Sequence, residues 1–213
     1  MSRHCHNPEA TRRAILESAA AQIHRLGYQA TSLDAILVES GVSKGALYHH
    51  FANKHELGLA VVDEVYRQPF LETWNKGLHQ SADPLTDLLV MLRQRRSETT
   101  ACSIQHGCPL NNLAQELGGV DESFRQRIEA VLLAWCDLLR DALTRAAAAG
   151  LLKEGVDPGR EALFVVAALE GATGLAKSTQ DPRVYTQCLE ALEEHALGLR
   201  LRAQPATQPG GVA

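Results

Sequence analysis

No apolar run in the sequence approaches the ~18–20 residues that span a bilayer, and the opening Met1-Ser2-Arg3-His4-Cys5-His6 has no apolar core of the secretory kind. A membrane span is thereby excluded, and a cytoplasmic location is expected. Cysteine is scarce and scattered. Cys5, Cys102, Cys108, Cys136 and Cys188 form an odd set with no C-x-x-C pair, which excludes a disulfide framework and a structural zinc site and leaves free thiols. His4-Cys5-His6 reads as a frayed terminus rather than a metal site. Also missing are a Gly-rich phosphate loop, an H-E-x-x-H pair and a nucleophile elbow, so no catalytic residue, metal or cofactor is assigned. Strong positive charge is lacking too. The 21 Lys and Arg against 25 Asp and Glu give −4, too little for an architectural protein that holds DNA by charge alone.

What is present reads as helix almost throughout the 213 residues. Leu, Ala, Glu and Arg dominate, β-branched runs are short, and Pro or Gly interrupts at helix-length intervals. Asn7-Pro8 is an N-cap followed by proline at the first helical position, and Gly27 ends that helix. Two short helices are expected from Ser32 to Ser40 and from Ser43 to His50. A long one opens at Asn53-Lys54-His55-Glu56 and runs to about Gly77. Asp83-Pro84, Asp157-Pro158 and Asp181-Pro182 repeat the cap-plus-proline start. A short helix is expected around Leu110–Leu117 and a long amphipathic one from Glu122 to Ala149. The resulting division is an all-α chain with residues 1–57 as a small N-terminal domain, 58–202 as a larger helical domain and 203–213 as a disordered tail. Split at residue 57, the formal charge is +1 on the first part and −5 on the rest. The asymmetry is mild and decides nothing alone.

Residues 31–51 carry the chemistry. Two short helices meet at Gly41, which supplies a left-handed turn, and Val42 can plug between them. Ser43 caps the second helix, and Leu47 and Phe51, four apart, hold it to a core. Lys44, Gly45, Tyr48 and His49 are left facing outward. Their donors suit phosphates and base edges, Gly45 permits close approach, and Lys54 can reach a phosphate from the next helix.

Thr31, Ile36, Gly41, Val42, Ser43, Gly45, Leu47, Tyr48, His50, Phe51, Lys54 and Leu57 stand in register with the pattern T-hydrophobic-x-x-I-A-x-x-A-G-V-S-x-G-x-L-Y-x-H/Y-F-x-x-K-x-x-L. This stretch resembles the helix-turn-helix domain of the TetR/AcrR family; Leu37 and Ser40 depart from it, standing where alanine is usual. The resemblance implies a homodimeric repressor on a palindromic double-stranded DNA operator, released by a small-molecule inducer. Its DNA-contacting set would be Thr31, Ser32, Ser43, Lys44, Gly45, Tyr48, His49 and Lys54.

The last two helices are the expected dimer interface. One carries Ala167, Ala168, Gly171, Ala172 and Gly174, and the other Tyr185, Cys188, Leu189, Leu192, Ala196 and Leu199; an intramolecular core is the alternative reading of the same stripe. The run Gly107–Glu116 resembles G-C-x-hydrophobic-x-N-L-A-x-E, found in one branch of the family. Cys108 stands at a helix N-terminus, where the dipole lowers a thiol pKa. One reading makes it an electrophile or oxidant sensor tuned by Lys177, another a buried small residue. A third is a noncovalent apolar pocket lined by Leu88, Met91, Leu92, Leu113, Leu132, Trp135 and Leu139, with Asn111, Asn112 or Gln115 at its polar end.

Overall fold

A computed structural model describes residues 7–201. The expected tail and His4-Cys5-His6 lie outside the described residues. Within them the regular structure is helical, apart from one antiparallel bridge between Leu152 and Arg200. No helix there is long and apolar enough to cross a membrane.

The caps act as their residue types require. Asn7 Oδ1 accepts from the Glu9 and Ala10 amides and starts α1 (Pro8–Leu26). Ser32 and Ser43 cap α2 (Leu33–Ser40) and α3 (Lys44–His50) through the amides of Ala35 and Ala46. Asn53 caps α4 (Lys54–Ala60). Each cap satisfies a backbone donor that the helix cannot satisfy itself. Between α2 and α3, Gly41 takes φ +66°, a conformation that a side chain would oppose.

The connector is one continuous helical path with a change of pitch. α4 passes into a π-helical stretch, Val61–Arg67, and then into α5 (Gln68–Gly77). The wide turn is pinned from both sides. Tyr66 Oη donates to the Ala20 carbonyl at 2.7 Å, Arg12 pairs with Glu64, and Arg127 donates to Asp63 at 2.9 Å. Such stretches are short and concentrate at working parts of helices. The periodicity Leu57, Val61, Val65 gave no warning of it.

A side-chain cap, a first-turn proline or both start each of the six remaining helices. α6 is Pro84–Ser97, followed by the four-residue α7 (Ala101–Ile104), α8 (Pro109–Leu117), α9 (Glu122–Ala148), α10 (Pro158–Thr179) and α11 (Pro182–Leu199). α9 packs along α10, and α10 along α11.

The N-terminal helices do not close a core by themselves. Ile15, Ala19, Ile36, Leu47, Phe51 and Leu57 share one buried cluster with Leu110, Leu113, Leu117, Phe124 and Ile128 from α8 and α9. Gly58 marks the closest approach across this joint. A Cβ there would lie 2.7 Å from the Tyr28 ring and 2.8 Å from the Phe124 ring, which pack edge to face at 4.9 Å. Gly58→Ala is therefore expected to destabilise the fold by about 1–3 kcal/mol, the usual cost of overpacking. A thermal melt checks it, and an unchanged midpoint would contradict the contact.

Candidate DNA interface and ligand cavity

The outward face of α3 is built by what its inner face buries. Leu47 is fully buried and Phe51 nearly so, while Val42 is packed against the same cluster. That anchoring turns Lys44, Gly45, Tyr48 and His49 to the exterior, and all four are exposed. Tyr48 is a large aromatic, 47% exposed, that stands outside the buried core of the described residues. Ser43 is exposed but serves as the cap.

A cavity of about 400 Å³ opens among α5, α6, α7, α8, α9, α10 and α11. Phe70, Trp135 and Tyr185 give it aromatic walls; Arg95, Glu98, Glu170 and Cys108 bring polar groups. Phe70 meets Trp135 edge to face at 4.9 Å. The Arg95 guanidinium sits 4.8 Å over the Trp74 ring. Burial pushes the Glu170 carboxyl above the usual range, against the opposing pull of the Cys108 thiol, the Arg95 charge and the Asn111 side chain.

The two regions are joined by one helix. At its start, Gly107, Cys108 and Pro109 line the cavity. At its other end, Glu116 accepts from the Tyr28 amide at 2.8 Å and the Gln29 amide at 2.7 Å, in the loop that leads into α2. His24 Nε2 meets the Gly107 carbonyl at 2.7 Å, and His55 meets Asp121 at 2.9 Å. α8 thus touches the cavity with one end and the α1–α2 loop with the other.

Residues 15–61 match the family model for bacterial regulatory proteins of the tetR family, and residues 84–192 match that for a tetracyclin repressor-like C-terminal domain. The chain belongs to the TetR family. An HTH-type transcriptional regulator of Lactococcus lactis subsp. lactis is 32% identical over 189 residues, 88% of this chain and 94% of that one. Transcriptional regulator AcuR of Cereibacter sphaeroides is 30% identical over 165 residues, 77% and 75% of the two chains. A regulatory protein TetR from Rhodobacter sphaeroides superposes with a TM-score of 0.78 at 26% identity, covering 87% and 98%. The family consists of transcriptional regulators with an N-terminal helix-turn-helix and a helical C-terminal domain.

Within this TetR-family frame, some expected site residues have other work. Thr31 is buried, and its hydroxyl donates to the Gly27 carbonyl at 2.8 Å, so its side chain holds the loop in this structure. Lys54 is half-buried. Its ammonium donates to the Gln29 carbonyl at 3.1 Å and lies 4.5 Å over the Tyr28 ring, so in this structure it braces the joint. Ser32 is exposed and caps α2.

The expected activation of Cys108 is also corrected. The amides of Leu110 and Asn111 at the helix start do pull the thiol pKa down, but burial and the Glu170 charge outweigh them, and the thiol is pushed up to about 12. Lys177 is not its partner: the ammonium donates to Asn112 Oδ1 at 2.7 Å. Lys177, Asn111 and Asn112 line a second, polar cleft of about 530 Å³ with His24, His106 and Glu116. At neutral pH Cys108 should therefore hold roughly a thousandfold or more less thiolate than an ordinary cysteine. Among the cysteines of the described residues, alkylation followed by mass spectrometry is expected to modify exposed Cys102 first and Cys108 far more slowly. Faster labelling at Cys108 would contradict its burial.

The expected apolar pocket does not form as drawn. Leu88, Met91, Leu92 and Leu139 fill a solid core with Trp74 and Leu169, and Leu113 belongs to the joint. Trp135 alone of that set lines the cavity. Phe70, Arg95, Glu98 and Glu170 are far apart in the sequence and carry no local sign of a shared cavity, while Tyr185, expected at the dimer interface, lines it. Glu170 could have been noticed as the single acid in the small-residue run 167–174. The α11 stripe resolves similarly: Leu189, Leu192, Ala196 and Leu199 are buried within the chain. The uncovered apolar face is a shallow groove between α10 and α11 with Phe164, Ala168, Gly171, Leu175, Cys188 and Ala191.

Proposed function

We propose that this TetR-family regulator is a repressor that holds a palindromic operator as a homodimer and lets go when a small molecule fills the Phe70–Trp135–Glu170 cavity. The observation that carries this reading is α8, with Cys108 and Pro109 on the cavity and Glu116 on the loop before α2. A ligand that displaces the start of α8 moves the acceptor at its end, and with it the angle at which α3 is offered to DNA. Release then follows from a difference in ligand affinity between two arrangements of that joint.

Residues 1–57 form the DNA-reading unit in this scheme, and 58–202 the sensing and pairing unit. Lys44, Gly45, Tyr48 and His49 supply the groove contacts. One α3 reads only a few base pairs, so specificity requires two copies with half-sites one or more helical turns apart. The groove beside Phe164 and Leu175 provides the apolar patch that pairing would cover. Cys108 enters as an uncharged wall residue, and a noncovalent ligand is favoured because its thiol is held protonated.

Selection from randomised duplexes tests the function. An inverted repeat is expected to be recovered, protected in both halves. Recovery of unrelated sequences with a steep salt dependence would point to nonspecific binding instead.

A further inference from the structure

We propose that the cavity takes a small neutral aromatic molecule bearing a hydroxyl, a phenol in its simplest form, in preference to an anion or a cation. The inference rests on the reading above that this cavity is the inducer site.

Two buried atoms define the chemistry. Among the described residues Glu170 Oε2 and Trp135 Nε1 are both shielded from solvent and have no hydrogen-bond partner; both residues line the cavity, where the Cys108 thiol and the Asn111 side chain also approach the Glu170 carboxyl. One is an acceptor and the other a donor. Buried polar groups are satisfied in nearly all folded proteins, so an orphan pair on one cavity calls for a ligand that completes it. A hydroxyl supplies a donor and an acceptor in one group.

Charge narrows the choice. The cavity lining holds one basic residue, Arg95, and two acids, Glu98 and Glu170. An anion would face an excess of carboxylate, with the Arg95 guanidinium already placed over Trp74. A cation could meet Glu170 but would approach Arg95 and leave the Trp135 N–H without an acceptor. Because burial favours the uncharged Glu170 carboxyl, an ammonium would have to drive its ionisation, whereas a hydroxyl can pair with either form. The flat walls Phe70, Trp135 and Tyr185 suit an aromatic body, and about 400 Å³ holds one or two rings.

The test is calorimetric titration of the full chain with four probes of one shape: 4-propylphenol, 4-propylanisole, 4-propylbenzoate and 4-propylbenzylammonium. The phenol is expected to bind most tightly, about tenfold better than the anisole, which lacks the donor. Both charged probes should be weaker than the phenol. Glu170→Met removes the acceptor and is expected to bring phenol and anisole within about twofold of each other. Equal binding of phenol and anisole to the unaltered chain, tighter binding of a charged probe, a phenol preference that survives Glu170→Met, or no binding of any probe would each overturn the proposal. The same titrations on the operator complex separate the two readings. If the phenol binds in the expected order without releasing DNA, the inducer role fails and the ligand class stands. If a charged probe binds more tightly and releases DNA, the reverse holds.

Discussion

Replacing Lys44, Tyr48 and His49 together with alanine is expected to lower operator affinity by at least about a thousandfold, to the level of nonspecific binding. All three side chains are exposed on α3, and Tyr48 in particular has no role in the core. Base-edge contacts, here those of Tyr48 and His49, are each worth about 1–3 kcal/mol, the Lys44 phosphate contact strengthens binding to every sequence alike, and two copies of the chain lose each contact twice. Stability should hold within about 0.5 kcal/mol, as for ordinary surface changes, because Leu47 and Phe51 still anchor the helix. The contrast is the informative part. A variant with an unchanged melting curve and no operator preference locates the reading face. One that keeps its preference places the contacts elsewhere. Lys44→Ala alone should weaken binding to all sequences alike and flatten the salt dependence, as expected when a phosphate contact is lost.

The second large effect is expected at Glu116. Its carboxylate is the acceptor for two backbone amides, Tyr28 and Gln29. Glu116→Ala leaves both without that partner and should cost about 1–3 kcal/mol of stability. Its distinctive consequence is functional. Allosteric coupling of the ordinary size changes affinity by about 5–150-fold. In the variant, ligand should still bind the cavity, since Glu116 lies at the other end of α8, but operator affinity should change by less than about threefold on saturation. Glu116→Gln keeps one carbonyl acceptor and should fall between. Titrating the operator complex with ligand, beside calorimetry on free protein, reads both quantities. Release at the unaltered level in Glu116→Ala would show that the signal bypasses α8.

Local signals in the sequence were sufficient for most of the fold. Asn7, Asp83, Asp157 and Asp181 each precede proline, and each caps a helix that begins at that proline. Capping chemistry is complete within three or four residues, so it can be read without knowledge of the fold. The turn at Gly41 and the anchors Leu47 and Phe51 were legible for the same reason. The π-helical stretch was not, because its causes are distant: Asp63 is held by Arg127, and Tyr66 by the Ala20 carbonyl.

The candidate site residues divide along the same line. Lys44, Tyr48 and His49 share one short helix and could be picked out by which face remained after Leu47 and Phe51 were buried. The cavity is assembled from Phe70, Arg95, Trp135 and Glu170, whose proximity depends on how four helices pack. Thr31 and Lys54 illustrate a different limit. They occupy the family's motif positions, yet their polar atoms are engaged by the Gly27 and Gln29 carbonyls. A motif marks where a residue is needed, and its partner shows what for. For Cys108 the helix-terminal pull was identified correctly in sign, but burial beside Glu170 exceeds it, and burial is a tertiary quantity.

The central claim is that α3 reads sequence. It is tested most directly by comparing affinity for the selected inverted repeat with affinity for a scrambled duplex of equal length at physiological salt. A specific regulator is expected to prefer the repeat by at least about a thousandfold. Equal affinity for the two duplexes would contradict the claim.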